Sequence, residues 1–115
     1  MFLARFPQTN FASDKLRPIL LLAPLPGDYD DWLICMISSK LHQYVEGIDE
    51  IIKSNSSDFE QSGLKAESVI RATRIAVISG ELLPGPIGEI SPQRLKRIRK
   101  NLAGWIKSPE KLKKT

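Results

Sequence analysis

The residues best suited to chemistry lie at the ends of two apolar runs in the first third of the chain. Arg17 precedes the aliphatic run 19–23, and Ser38 follows the apolar run 32–37. An arginine carries a planar, permanently charged fork that suits a phosphate, and Pro18 restricts where that fork can point. A serine hydroxyl can donate a hydrogen bond to a phosphoryl oxygen. Together these side chains predict a site that handles a phosphate.

Two neighbouring strands would bring these side chains together. Each run is apolar and bounded by turn residues, which is typical of a buried strand. The segment between them, "PLPGDYDD", has the proline, glycine and aspartates of a turn, so the strands should pair antiparallel. The start of the first strand and the end of the second then lie side by side. Arg17 and Ser38 are therefore expected to meet at one end of this pair.

The local sequence also permits a purely structural role for both residues. Arg17 can pair with Asp14 at the surface. Ser38 can close its strand by bonding to its own backbone. At the level of the sequence these interpretations stand beside phosphate binding.

A second arginine lies inside the β-branched segment 67–79. A charge in the middle of a strand needs a solvated face or a partner, so Arg71 predicts an exposed functional face. Protection of an edge strand by charge is the alternative. Alternation along this strand places Thr73 on the same face as Arg71.

Polar residues near these strands are predicted to contact the substrate. His42 lies four residues beyond Ser38 and can act as an acid or base near neutrality. As the single histidine, it excludes a two-histidine acid–base pair. The predicted catalytic residues are Arg17, Ser38 and Arg71, and the predicted substrate-binding residues are Lys15, Ser39, Lys40, His42 and Thr73.

Several common sites are excluded by the sequence. It has no metal-ligand spacing, no glycine-rich phosphate loop and no nucleophile elbow, so no metal or cofactor is expected. Cys35 lies inside an apolar run and, as the single cysteine, cannot form an internal disulfide. This cysteine usage suits a reducing cytoplasm.

The composition is that of one small soluble domain. The chain has 115 residues, of which 42% are hydrophobic and 26% charged. We expect a single domain over 1–108 and a basic tail over 109–115. The longest apolar run, 19–25, is broken by Pro24 and falls far short of the ~20 residues of a membrane span. The N-terminus lacks a basic leader followed by an apolar stretch, so a cytoplasmic protein without a membrane partner is predicted.

Positive charge is concentrated in the second half of the chain. The net charge is +4, but residues 1–57 carry 5 Lys and Arg against 7 Asp and Glu, whereas residues 58–115 carry 12 against 6. Such a balance permits a polyanionic partner such as nucleic acid. A solvated basic tail is the alternative explanation.

The remaining segments predict a small β protein with a C-terminal helix. A first strand is expected over Phe2 to Phe6, a further strand that opens at Gly47, and a short helix that begins at a serine and ends at Gly63. The segment 80–90 is rich in proline and glycine and predicts a turn with a short edge strand. Five to seven short strands with one long helix favour a twisted sheet or partly closed barrel.

The C-terminal helix has the clearest boundary in the sequence. Ser91 is a preferred cap and Pro92 suits the first helical position, and the helix should end near Ser108. Apolar residues at helical spacing predict one face that packs on the sheet. This stripe comprises Leu95, Ile98, Leu102, Trp105 and Ile106. The basic residues expected to cover the remaining surface are Arg94, Lys96, Arg97, Arg99 and Lys100.

Taken in order, four segments resemble the MazF/PemK family of toxin endoribonucleases. They are "RFPQTNFASDKLRPILLLA", "WLICMISSK", "GLKAESVIRATRI" and "IGEISPQRLKRIRKNL". Lys15-x-Arg17-Pro18 before an aliphatic strand matches the family's opening, and Ser38-Ser39 occupies the place of its Thr-Ser pair. The resemblance covers Leu3 to Leu102.

The resemblance implies an SH3-like barrel with a C-terminal helix, usually a homodimer, that a cognate antitoxin neutralises. It also implies metal-independent cleavage of single-stranded RNA, in which the ribose 2′-hydroxyl attacks the adjacent phosphate. In that chemistry Arg17 would stabilise the transition state and Ser38 would donate to the phosphate. Arg71 matches a strand arginine that some members use as an acid or as a transition-state stabiliser.

One departure from the family keeps a second function open. Thr73 stands where some members carry an acidic residue, so the general base is unassigned and His42 is its candidate. The alternative is a catalytically weakened binding module on the same scaffold, acting through an antitoxin or a protein target. Three aromatic residues could stack on RNA bases: Tyr29, Tyr44 and Trp32. Of these, Trp32 is more typical of a core residue.

Overall fold

The computed structural model describes residues 2–4, 17–83 and 85–109. These residues form five strands and two α-helices. The strands are β1 (Phe2–Ala4), β2 (Arg17–Pro24), β3 (Asp31–Ser38), β4 (Glu50–Ile52) and β5 (Ser68–Ser79). The helices are α1 (Phe59–Ser62) and α2 (Pro92–Lys107), with short 3₁₀ helices at Leu41–Gln43 and Gly80–Leu82.

The strands form one curled antiparallel sheet in the order β1-β2-β3-β5-β4. It wraps into a half-barrel against α2, which confirms the predicted fold class. β2 and β3 pair antiparallel around the turn 25–30, where Leu25 N donates to Asp31 O at 2.9 Å. The predicted strand pair is therefore confirmed.

β5 changes register in its middle. Cys35 lies opposite Ile75, but the next residue of β3, Met36, lies opposite Arg71. Residues 72–74 of β5 thus have no counterpart on β3, an insertion that bends the strand and sharpens its twist. The predicted alternation holds through Thr73, because Ile70 and Ala72 pack in the helix-side core while Arg71 and Thr73 do not. It is lost at Arg74 and Ile75, which are both exposed.

The main core lies between the sheet and α2. Apolar side chains of β2, β3 and β5 meet Ile98 and Leu102 of the helix, as its spacing predicts. Ile106 departs from the predicted stripe, since it is 59% exposed. A smaller cluster on the other face of the sheet contains Ile19, Ile34 and Ile78.

Both helix ends follow from local sequence. Ser91 Oγ accepts a hydrogen bond from Arg94 N at 3.2 Å, with Pro92 in the first turn, so the predicted start of α2 is confirmed. α1 begins after Asp58 rather than at a serine. It ends at Gly63, whose φ of +74° is left-handed and whose packing against the Ile87 backbone leaves no room for a side chain.

Two expectations on the connections need correction. β4 begins at Glu50, three residues after Gly47. In the described part of 80–90, a 3₁₀ helix covers Gly80–Leu82, and the expected edge strand is reduced to one bridging residue, Pro86. Neither α1 nor α2 is long and apolar enough to cross a membrane. Of the predicted basic tail, only Pro109 is among the described residues.

Candidate functional site

The sheet register brings Arg17, Ser38 and Arg71 onto adjacent strands. Ile19 lies opposite Met36, and Met36 lies opposite Arg71 on the next strand. When the antiparallel register of β2 and β3 is continued by two residues, Arg17 lies opposite Ser38. Because these positions alternate with the side chains that pack on α2, all three lie on the face of the sheet away from the helix, which we call the open face.

The two arginines of the open face share an unusual feature. Both are half-buried, and the Nε atom of each is fully buried without a hydrogen-bond partner among the described residues. A buried guanidinium N–H that lacks an acceptor costs roughly 1–3 kcal/mol or more. Each side chain therefore keeps one N–H donor that no acceptor among the described residues uses.

Ser38 ends β3 beside Arg17 and is half-exposed. Its Oγ accepts a hydrogen bond from Lys40 N at 3.1 Å, which is the backbone contact that local sequence allowed. This contact uses the oxygen as an acceptor only. The hydroxyl proton remains free to donate within the described part of the chain, so the structural contact and a phosphate contact are compatible.

The predicted substrate-binding residues differ in their placement. Ser39 and Lys40 are exposed directly beyond β3, and His42 is exposed on the 3₁₀ helix Leu41–Gln43 rather than in an irregular loop. Thr73 is half-buried in the interruption of β5. Lys15 lies outside the described residues, as does Asp14, the alternative partner of Arg17.

Comparison with known proteins identifies the family. The model of a family described as "PemK-like, MazF-like toxin of type II toxin-antitoxin system" matches residues 1–106. The chain belongs to this toxin family. No individual curated protein matches the sequence. The predicted resemblance is therefore confirmed over nearly the whole chain.

Sequence reasoning missed one buried carboxylate in this PemK-like chain. Asp49 is 5% exposed; its Oδ2 accepts from Val45 N and its Oδ1 from Ala72 N, each at 3.0 Å. Burial raises the pKa of the Asp49 carboxyl, and this outweighs the two backbone hydrogen bonds and the Arg71 charge, which lower it. The sequence "GIDEII" gave no signal that separates Asp49 from its neighbour Glu50.

A second missed residue is Gln43. Its Oε1 is buried without a hydrogen-bond partner in the described part of the chain, on a 3₁₀ helix that contacts β5. A buried amide oxygen without a donor is uncommon in folded proteins. The sequence offered only one polar residue among several in the segment 40–46.

The single cysteine of this family member does not belong to the site chemistry. Burial and, to a smaller extent, the negative charge of Asp49 together raise the pKa of the Cys35 thiol to about 12. The thiolate, which is the reactive form, is therefore scarce near neutrality. Among the described residues, no group of three or more His, Cys, Asp or Glu side chains could hold a metal ion.

The basic surface of α2 is smaller than predicted. Arg94 is not at the surface: its side chain is 11% exposed and lies between Asp58 and Glu50. Arg97 pairs with Glu50, and Arg99 Nε donates to Leu22 O at 2.7 Å. Much of the positive charge on this helix therefore stabilises the fold.

Proposed function

We propose that the protein is a metal-independent endoribonuclease toxin of a type II toxin–antitoxin system, cleaving single-stranded RNA by attack of the ribose 2′-hydroxyl. Membership of the toxin family supports the toxin role. The observation that supports cleavage is the pair of buried Nε atoms of Arg17 and Arg71 on the open face, beside the Ser38 hydroxyl, neither of which has a hydrogen-bond partner within residues 17–83 and 85–109. A bound phosphodiester would supply the missing acceptors.

In this reaction the substrate provides its own nucleophile. The 2′-oxygen forms a bond to phosphorus and the bond to the 5′-oxygen breaks, which leaves a 2′,3′-cyclic phosphate and a 5′-hydroxyl. The 2′-hydroxyl proton passes to a base and the 5′-oxygen gains a proton from an acid. The protein then needs proton transfer and stabilisation of the charge that builds up on the phosphoryl oxygens.

The three open-face residues divide these tasks. Arg17 donates to the phosphoryl oxygens, since its charge persists at every working pH and Pro18 fixes the strand at its root. Ser38 adds a neutral donor. Arg71 stabilises the leaving oxygen or delivers its proton. His42 is exposed nearby in sequence and is the candidate base.

The expected partners follow from the same proposal. A cognate antitoxin protein would neutralise the toxin, and the toxin would act as a homodimer on messenger RNA in the cytoplasm and inhibit growth. Exposed lysines beyond β3 and on α2 would contact the RNA backbone, among them Lys40, Lys96 and Lys100. Such contacts release counterions, so RNA binding should weaken steeply with salt.

The decisive experiment is cleavage of a long single-stranded RNA with excess EDTA. We expect discrete fragments with 5′-hydroxyl ends, and a loss of about 10²–10³ in rate for Arg71→Ala. Arg74→Ala is the matched control because Arg74 is an exposed arginine of the same strand. Equal activity of the two variants would remove Arg71 from the site.

The alternative function is the weakened binding module. The absence of an acidic residue at Thr73 is the observation in its favour. It predicts intact RNA under all these conditions while the folded protein still binds its antitoxin and arrests growth on induction. That combination would replace the endoribonuclease proposal.

A further inference from the structure

Asp49 is a buried charge that the proposed chemistry does not use. Its two carboxylate oxygens accept hydrogen bonds from two separate segments: Val45, which follows the 3₁₀ helix, and Ala72 in the middle of β5. Because both oxygens are occupied by backbone N–H groups and the residue is 5% exposed, Asp49 is not placed to contact an RNA substrate.

Its location in the sheet is specific. β4 pairs with β5 so that Glu50 lies opposite Ile70. One residue further along this register, Asp49 is level with Arg71. Its partner Ala72 is the first of the three residues, 72–74, at which β5 leaves its register with β3. Asp49 therefore braces the backbone at the point where the interruption begins, directly after the arginine of the open face.

The electrostatics add a second link to the same arginine. The Arg71 charge lowers the pKa of the Asp49 carboxyl, although burial still keeps that pKa above the ordinary value. A half-buried guanidinium needs a compensating charge. Asp49 supplies one from within the protein, and the Arg71 Nε remains without a partner among the described residues.

We propose that Asp49 is a positioning residue that fixes Arg71 on the open face, by bracing the interruption of β5 and by balancing the arginine's charge. This inference rests on the proposed endoribonuclease function for its effect on rate. Its structural part, the coupling of Asp49 to Arg71, holds for any ligand that Arg71 binds.

The test compares Asp49→Asn with Glu50→Gln. The two carboxylates are adjacent in sequence, but Glu50 points to the helix side, where it pairs with Arg94 and Arg97. The first readout is the ¹⁵N resonance of Arg71 Nε, which reports the arginine's surroundings without any RNA. We expect it to shift in Asp49→Asn and to stay in place in Glu50→Gln.

The second readout is RNA cleavage, with kcat and KM separated. A small misplacement of a catalytic group can cost up to ~10²-fold in rate. We expect Asp49→Asn to lower kcat by about tenfold to a hundredfold with little change in KM, and Glu50→Gln to leave both unchanged at a temperature where each variant is folded. An equal loss of kcat in the two variants would overturn the proposal.

A third measurement uses only the wild-type protein, in case Asp49→Asn does not fold. The Arg71 Nε resonance is followed through acid titration beside the ¹³C resonance of the Asp49 carboxyl. Cys35, the β3 thiol whose pKa the Asp49 charge raises, stays protonated throughout because its pKa is about 12. The two resonances should titrate with the same midpoint. If the Arg71 Nε resonance does not move as Asp49 is protonated, the coupling is contradicted.

The outcomes separate the two proposals. If wild-type protein cleaves no RNA, the endoribonuclease proposal fails, and the arginine resonance still decides whether Asp49 positions Arg71. If cleavage is present but the resonance is indifferent to Asp49, the positioning role fails alone.

Discussion

Arginines on the two sides of the sheet have similar burial and opposite hydrogen bonding. On the helix side, Arg94 donates to four acceptors. Its Nε and Nη2 donate to the two Asp58 oxygens at 2.9 and 3.1 Å, and its Nη1 donates to Glu50 Oε1 at 2.9 Å and to Ile51 O at 3.0 Å. On the open face, the Nε atoms of Arg17 and Arg71 have no partner within the described residues.

This difference separates two uses of one residue type. A guanidinium whose donors are satisfied inside the fold connects elements, in this case α2 with the start of α1 and with β4. A guanidinium with a buried donor that lacks an acceptor lowers the stability of the fold. Such a cost is typical of a binding site without its ligand. The pattern of acceptors is therefore more informative about role than burial is.

The largest effect on stability is expected from Arg94→Ala. It would leave Asp58 as an uncompensated charge in a poorly solvated site and Glu50 with only the exposed Arg97 as a partner, and breaking such a buried pair typically costs about 3–5 kcal/mol. Urea unfolding measures this change. The control is Arg97→Ala, whose side chain is 54% exposed and whose loss should cost no more than about 1 kcal/mol. Equal losses of unfolding free energy in the two variants would show that the buried ion pairs of Arg94 contribute no more to stability than the exposed pair of Arg97.

The reverse result is expected for Arg17→Ala. Removal of an unsatisfied buried donor should be close to neutral for the free energy of unfolding. RNA cleavage should fall by about 10²–10³, the usual cost of losing one donor to a developing oxyanion. Arg17→Lys keeps the charge but loses the planar fork, and it should recover only part of the activity. A fully active Arg17→Ala protein would place the site elsewhere.

Local sequence was sufficient for the elements whose signals are local. Prolines and a turn bounded β2 and β3, so the juxtaposition of Arg17 and Ser38 followed from the short connection between these strands. Ser91-Pro92 marked the start of α2. The cluster around Arg94 was not predictable because its carboxylates lie 36 and 44 residues away in sequence. An arginine on an amphipathic helix is usually solvated, and here tertiary contacts override that expectation.

The interruption of β5 was equally hidden. Its β-branched sequence predicts one continuous strand, whereas residues 72–74 have no counterpart on β3, and Ala72 N donates to Asp49, 23 residues away in sequence. Asp49 itself was missed because a single acidic residue beside another carries no periodic signal.

A smaller effect is expected at Ser38. Ser38→Ala removes one neutral donor from the site, and a hydrogen bond to a charged group is worth roughly 1.5–3 kcal/mol, so cleavage should fall by at least about tenfold. Ser38→Thr keeps the hydroxyl and should keep most of the activity. Ser57→Ala is the matched control, since Ser57 is an exposed serine in the turn before α1, outside the predicted site. Stability should change little, because the lost contact to Lys40 N is exposed.

The smallest expected effect is a difference between Asp58 and Asp49 in how each makes the free energy of unfolding depend on pH. Burial alone would raise the pKa of the Asp58 carboxyl, but its bonds to Arg94 and Ser91 hold that pKa below the ordinary value of about 3.9, whereas burial raises the pKa of Asp49 above it. Asp58 therefore stabilises the fold above about pH 4, and this contribution is lost as the pH falls through its folded pKa. Asp49 behaves oppositely, because protonation relieves the cost of its buried charge as the pH falls through its raised pKa. The loss of unfolding free energy between about pH 6 and pH 3 should thus shrink in Asp58→Asn and grow in Asp49→Asn. If both variants change this loss in the same direction, the carboxyls of Asp58 and Asp49 do not have pKa shifts of opposite sign.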